Sequence, residues 1–306
     1  MVILVACKAS AQNESPQLPF SNPIVLNPAF AGIDQYTQVV TGNQYYHIDS
    51  TTSFNILYFS YNTFSEELNG GLGLFFQQGI IGARNISTSE IGFAYSSLPR
   101  KTKDGDIRFG IGLNFLLASK QWFAGTLDRI LTDQNSSSGS YLLLKPRFSL
   151  LGNTRTFRWG ITAGIPLQLE FASNSDNEDV FPLNTTLYLA RIKEGYKHGL
   201  TSQPFIFVPE LMVFYQQDYL ISRVNARLKH SDNSLGAFLQ SDFTNNIHTL
   251  GATFGLAGNN IRLELNAGAG IPGISDEIGF CGELSLQLTV PHTDYTQINP
   301  WAPRKR

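Results

Sequence analysis

Charge, cysteine and long apolar runs are all scarce in this sequence. Only 15% of its 306 residues are Asp, Glu, Lys or Arg, while 42% are apolar; a soluble domain usually carries about a quarter charged residues. The formal net charge of −2 provides no basic surface, so no nucleic-acid partner is expected. Two cysteines, Cys7 and Cys281, are present, and if Cys7 is lost with an export signal a disulfide framework is excluded. An exported chain without disulfides fits a bacterial envelope better than an animal extracellular space. No stretch approaches the ~18–20 consecutive apolar residues of a membrane-spanning helix.

The start, "MVILVACKASAQ", ends an apolar run at Ala9-Ser10-Ala11, a small-residue pattern that predicts signal-peptidase cleavage before Gln12. Residues 1–11 are therefore expected to be a signal peptide, with a run as short as a truncated one would show. "LVAC" also resembles a lipoprotein box, and that alternative stays open.

Alternation dominates what remains. In "NIRLELNAGAGIP", Ile261, Leu263, Leu265, Ala267 and Ala269 lie on one side and Arg262, Glu264, Asn266, Gly268 and Gly270 on the other. "DIRFGIGLNF" sets Ile107, Phe109, Ile111, Leu113 and Phe115 against Arg108, Gly110, Gly112 and Asn114. A period of two over about ten residues is a strand with one apolar and one polar face. Such segments fall near residues 35–47, 52–64, 70–80, 86–97, 106–118, 140–151, 155–170, 182–192, 204–216, 218–230, 234–243, 247–257, 260–271 and 279–290.

Length separates a soluble sandwich from a barrel. Soluble strands average about five or six residues, whereas tilted membrane-spanning strands need about nine to eleven. The fold class expected is all-β: a transmembrane antiparallel barrel of about fourteen strands over residues 35–290. Its apolar face would meet outer-membrane lipid and its charges turn inward. With both termini periplasmic, the longer connections 119–139 and 171–181 face outward, as bacterial barrels prefer. Tyr45, Tyr46, Tyr141, Tyr215, Tyr219 and Trp122 are expected to form interfacial girdles.

Chemistry-bearing motifs are absent or accidental. "GAGIPG" matches a dinucleotide fingerprint but leads into another strand, not a helix. His47, His198, His230, His248 and His292 are scattered without metal-ligand spacing, and there is no GxSxG. No enzyme, cofactor or metal site is expected. The inward charges Arg108, Lys145, Arg147, Arg158, Glu170, Arg223, Arg227, Asp242, Arg262, Glu264 and Glu283 read either as a polar conduction path or as a mutually neutralising network. Their mixed signs favour the network, since a selective pore usually shows one sign. In the loop 119–139, Trp122, Phe123, Leu127, Ile130 and Leu131 are too apolar for a spacer and either fold over the barrel mouth or face a partner.

Ahead of the first strand stands "SNPIVLNPAFAG", Ser21 to Gly32. Proline removes a ladder donor and biases the preceding residue away from helix, so two Asn-Pro pairs predict an extended segment with two bends. Its apolar side chains would be costly in water, so the segment, within residues 12–34, is expected to dock at or in the periplasmic mouth. Asn22, Pro23, Leu26, Asn27, Pro28, Ala29, Phe30, Ala31 and Gly32 together resemble the "NP…LNPAYAG" phrase of the PorP/SprF family of Bacteroidetes outer-membrane proteins. That resemblance implies a non-enzymatic component of type IX secretion and gliding. It further implies as partners a large secreted adhesin or its C-terminal domain, and periplasmic or outer-membrane lipoproteins of the machinery. Contacts would come from Asn22, Pro23, Leu26, Asn27, Pro28, Phe30 and Gly32, and from Trp122, Phe123, Leu127 and Ile130. The rival reading is a channel or transporter for small or hydrophobic solutes. The chain departs from the family pattern in continuing past Val290 with a tail, residues 291–306, expected in the periplasm.

Overall fold

A computed structural model describes residues 21–33, 36–47, 53–81, 86–119, 140–154, 156–165, 167–170, 184–191, 206–216, 219–230, 233–243, 246–258, 260–272 and 279–290. The expected signal peptide, the loops 119–139 (beyond Ser119) and 171–181, and the tail 291–306 lie outside them. So do Trp122, Phe123, Leu127, Ile130 and Leu131.

The strands in chain order are β1 (Thr37–His47), β2 (Ser53–Ser65), β3 (Gly70–Ile81), β4 (Ile86–Ser97), β5 (Arg100–Lys101), β6 (Gly105–Ser119), β7 (Ser140–Thr154), β8 (Phe157–Gly164), β9 (Leu167–Glu170), β10 (Asn184–Arg191), β11 (Ile206–Gln216), β12 (Tyr219–His230), β13 (Asn233–Asp242), β14 (Ile247–Ala257), β15 (Ile261–Gly270) and β16 (Phe280–Val290). β5 is a two-residue lip on β6. β8 and β9 are halves of one stave, since both pair with β7, and the break falls between Gly164 and Leu167. Fourteen antiparallel staves result. Each pairs with its neighbours in sequence, and β1 pairs with β16 from Thr37↔Val290 to His47↔Phe280. The pairing therefore runs round a ring, the arrangement that hydrocarbon surroundings demand of a sheet; among the described residues β9 pairs on its β7 side alone.

Period-two patterning then sorts the side chains. Phe148 and Leu235, each 60% exposed, and Leu250 at 57% belong to an apolar belt on the outer wall. Arg108, Lys145, Glu210, Arg223, Arg227, Glu264 and Glu283 are buried on the inner one. A soluble protein would place these sets the other way round. At one end of the barrel, here called the near end, β1 begins and β16 finishes; the opposite end is the far end.

Tyr46 corrects an expectation. It is buried in the lumen and takes a hydrogen bond from Gln240 at 3.2 Å, because two adjacent strand residues cannot both face lipid. Its neighbour Tyr45 is 39% exposed and Tyr215 50%, both outward. The side chains of Tyr141 and Tyr219, like Trp122, lie outside the described residues.

Candidate functional site

The stretch Ser21–Ile33 lies within the barrel against the inner wall, and it is not extended. Pro23–Leu26 makes one helical turn and Pro28–Phe30 a 3-10 turn. Each begins with proline in its first position, where the missing amide costs nothing and the fixed φ suits a helix. Asn22 and Asn27 occupy the N-cap positions, and the Asn27 carboxamide oxygen accepts from the Ala29 amide at 2.8 Å. The first turn closes as the Asn27 amide donates to the Pro23 carbonyl at 3.0 Å. Asn-Pro read only as a breaker misses that the same pair is a helix start. Gly32 then takes a φ of +59°, which turns the chain toward β1 and which a larger residue adopts only under strain.

Glycines make the seat. A methyl group added at Gly71 would collide with the Ala31 carbonyl and one at Gly110 with the Ala29 backbone. At Gly112 it would come within 2.8 Å of Pro28 Cγ, and at Gly160 within 2.8 Å of Asn27 Nδ2. These glycines form a furrow across β3, β6 and β8 into which the segment's backbone sinks. Around it, Ile24, Ala29 and Phe30 pack with Phe75 and Leu151 in a buried apolar cluster. The Arg158 guanidinium lies 5.7 Å from the Phe30 ring centroid, within cation–π range.

Wall groups pair with the carbonyls and amides that the segment's short turns leave without intrahelical partners. Arg147 Nη2 donates to the Leu26 carbonyl at 2.7 Å and Ser96 Oγ to the Ala31 carbonyl at 2.6 Å. Arg108 Nη2 reaches the Ile33 carbonyl at 3.2 Å and Nη1 the Gly32 carbonyl at 3.4 Å. Ser149 Oγ accepts from the Ala29 amide at 3.1 Å, and Ser60 Oγ donates to Asn22 Oδ1 at 2.9 Å. Asn27 Nδ2 donates to the Leu150 carbonyl at 3.1 Å. Two of the expected lumen charges, Arg108 and Arg147, thus hold the segment rather than line an aqueous path.

Glu283 ties the segment to the last strand. Its Oε1 accepts from Ser21 Oγ at 2.5 Å and from the Tyr58 hydroxyl at 2.7 Å, while Oε2 accepts from Asn266 Nδ2 at 3.1 Å. A buried carboxylate without such donors would be costly.

Across the lumen the charges neutralise one another. Arg227 pairs with Glu210 and, at 3.0 Å, with Glu264, whose other oxygen takes Arg262 at 3.0 Å. Asn225 Nδ2 adds a bond to Glu210 at 2.9 Å. Arg223 stacks on Phe238 at 4.2 Å, and Asp242 is buried nearer the far end. Cys281 is a buried thiol beside Tyr46 and Phe238. This is the mutually neutralising arrangement the mixed signs favour. The Glu170 side chain lies outside the described residues. Among the described residues, no three His, Cys, Asp or Glu side chains are grouped to hold a metal.

Sequence reasoning missed three members of this interior. Glu210 is hidden because β11 is apolar on both faces, with Val208, Met212 and Phe214 buried beside it. Phe75 and Leu151 are apolar residues on the polar side. The doublets Phe75-Phe76 and Leu150-Leu151 break the alternation, and those breaks mark where something apolar must sit inside.

Comparisons with known proteins agree with this architecture. The CymD monoaromatic hydrocarbon channel superimposes with a TM-score of 0.54 at 11% identity, covering 89% of this chain and 93% of that one. The ΔS2S3 mutant of TodX, another monoaromatic hydrocarbon channel, gives 0.51 at 12% identity, covering 88% and 94%. Omp33, an outer-membrane protein of Acinetobacter baumannii, gives 0.44 at 9% identity, covering 83% and 98%. For the two hydrocarbon channels, at such identities, the likeness is one of fold alone. No curated protein matches the chain in sequence. A family model described as the type IX secretion system membrane protein PorP/SprF matches residues 10–277, from ahead of the docked segment through β15. The chain therefore belongs to the PorP/SprF family of type IX secretion membrane proteins.

Proposed function

We propose that this barrel sits in the bacterial outer membrane with its near end in the periplasm and supports the export or surface anchoring of a large secreted adhesin. The family provides the secretion context; its members and the barrels of like fold are secretion components, channels or porins, not enzymes. The observation that carries the reading is the docked segment Ser21–Ile33. A barrel whose inner wall is carved to hold its own N-terminal segment, and whose remaining charges cancel, is built as a closed platform rather than a free solute path. The outward loop 119–139 and the periplasmic mouth are the surfaces offered to the adhesin's C-terminal domain and to lipoproteins of the machinery.

Mild-detergent capture of the tagged chain from its native membrane, read by mass spectrometry, tests this. A secreted adhesin recovered in stoichiometric amount supports it; recovery of the chain alone counts against it.

A second reading, a channel for small or hydrophobic solutes, draws on two barrels of like fold that are monoaromatic hydrocarbon channels. The apolar cluster of Ile24, Phe30, Phe75 and Leu151 is the feature here that suits an oily solute. On that reading the purified chain, reconstituted without partners, conducts or takes up solute.

A further inference from the structure

Polar side chains interrupt the lipid-facing wall near the middle of β1. Thr41 and Asn43 flank Gly42, the midpoint of the eleven-residue β1, and both point outward, because Gly42, Gln44 and Tyr46 face the lumen. Near their own midpoints other staves present Phe59, Ile111, Phe148, Val224, Leu265 or Leu284. Beside Asn43 on the outer wall stands Asn55 of β2, a diagonal neighbour across the pair. The two carboxamides are joined, with Asn43 Nδ2 donating to Asn55 Oδ1 at 2.6 Å. Thr41 Oγ1 is satisfied within the wall, donating to the Tyr58 carbonyl at 3.1 Å.

One bond does not satisfy two carboxamides. Asn43 keeps its carbonyl oxygen and Asn55 its amide hydrogens, and at Asn43, one residue from the midpoint of β1, acyl chains offer no partner. Polar groups at membrane depth characteristically face protein, not lipid. Among the described residues the outward faces of β16, β1 and β2 carry no Asp, Glu, Lys or Arg, so a partner here faces neither repulsion nor an unpaired charge. What it must present at matching depth is a donor and an acceptor side by side. A second copy, turned by a twofold axis running along the wall between β1 and β2, does this: its Asn55 comes opposite Asn43 and its Asn43 opposite Asn55. Closed twofold symmetry is also the commonest way for a chain to pair with itself.

We propose that the outer face of β1 and β2, centred on Asn43 and Asn55, is the interface of a homodimer within the membrane. The four carboxamides complete one another's hydrogen bonds at its centre, and Leu57, Leu284 and Leu286 surround them with apolar contact. This rests on the barrel alone and not on the export reading.

The test is short-span bismaleimide cross-linking of the full-length chain in native outer membranes. Leu57→Cys, on the outer wall opposite Asn43, supplies the reactive thiol and leaves both carboxamides in place, and Cys281, buried in the lumen, stays silent in the parent. A covalent dimer is expected with L57C, and none with Leu211→Cys on the opposite side of the barrel. Adding Asn43→Leu and Asn55→Leu to L57C should remove most of the dimer while the barrel still migrates as a folded, heat-modifiable band. L57C monomers, an undiminished dimer after those two changes, a cross-linked product containing a different protein, or equal dimer from L211C would each overturn the proposal.

Discussion

At Gly71 a single hydrogen atom faces the Ala31 carbonyl of the docked segment, and there is no room for a carbon. Overpacking of this kind typically costs about 1–3 kcal/mol, and here the cheapest relief is for the segment to lift off. Gly71→Ala is therefore expected to leave the barrel folded but to raise single-channel conductance of the reconstituted protein. An unchanged conductance would show that the furrow is not what seats the segment. Glu210 makes the opposite case, in which removal is the damage. Arg227 bridges Glu210 and Glu264, and loss of one partner from a buried pair typically costs about 3–5 kcal/mol. Glu210→Ala should lower the urea midpoint of the barrel markedly, whereas Glu66→Ala, in an exposed turn, should not. Both residues were opaque in the sequence for definable reasons. A glycine says only that nothing is there, not what approaches it. Glu210 sits between two apolar faces, so alternation could not assign it a side.

At the scale of elements, the staves were legible and the docked segment only in part. Fourteen segments were readable because lipid requires an apolar residue at every second position and tolerates few exceptions, and their ends agree to within a few residues. The stave 155–170 read as continuous and is broken between Gly164 and Leu167. Docking inside the wall was readable from the apolar residues between the two prolines. The shape of that segment was not, because whether proline ends a helix or begins one depends on the capping residue before it. Asn27 shows the difference, with its side chain on the Ala29 amide and on the Leu150 carbonyl. Deleting Ser21–Gly32 removes both turns and exposes the glycine furrow, Phe75 and Leu151 to the lumen. The truncated barrel should conduct above the level of the intact protein, and an equal conductance would mean that the rest of the interior already seals it.

The whole molecule turns a soluble protein inside out, with salt bridges in the middle and oil outside. Such a body has no stable aqueous form. The purified chain should stay monodisperse only with detergent or lipid, and in unheated SDS it should run as a compact band that shifts on boiling. Light-scattering evidence of a monodisperse species in plain buffer would contradict the lipid-facing belt of Phe148, Leu235 and Leu250. Topology at this scale followed from the sequence once strand length was set against bilayer thickness. Closure between β1 and β16 followed only from the even count, since nothing in either strand names the other. What the barrel meets in the membrane is a question for the polar patch on the outer face of β1 and β2, Asn43 and Asn55.

The segment inside is joined to the wall it fills by the few residues between Ile33 and Thr37. Tethers that short hold a ligand at roughly millimolar effective concentration or more, so the furrow is never without its own occupant nearby. A free peptide of the same sequence would compete poorly, however well it fitted. Anything that is to take the segment's place in the furrow must therefore grip the leash itself and keep pulling, and the moment it lets go the segment falls back into its seat.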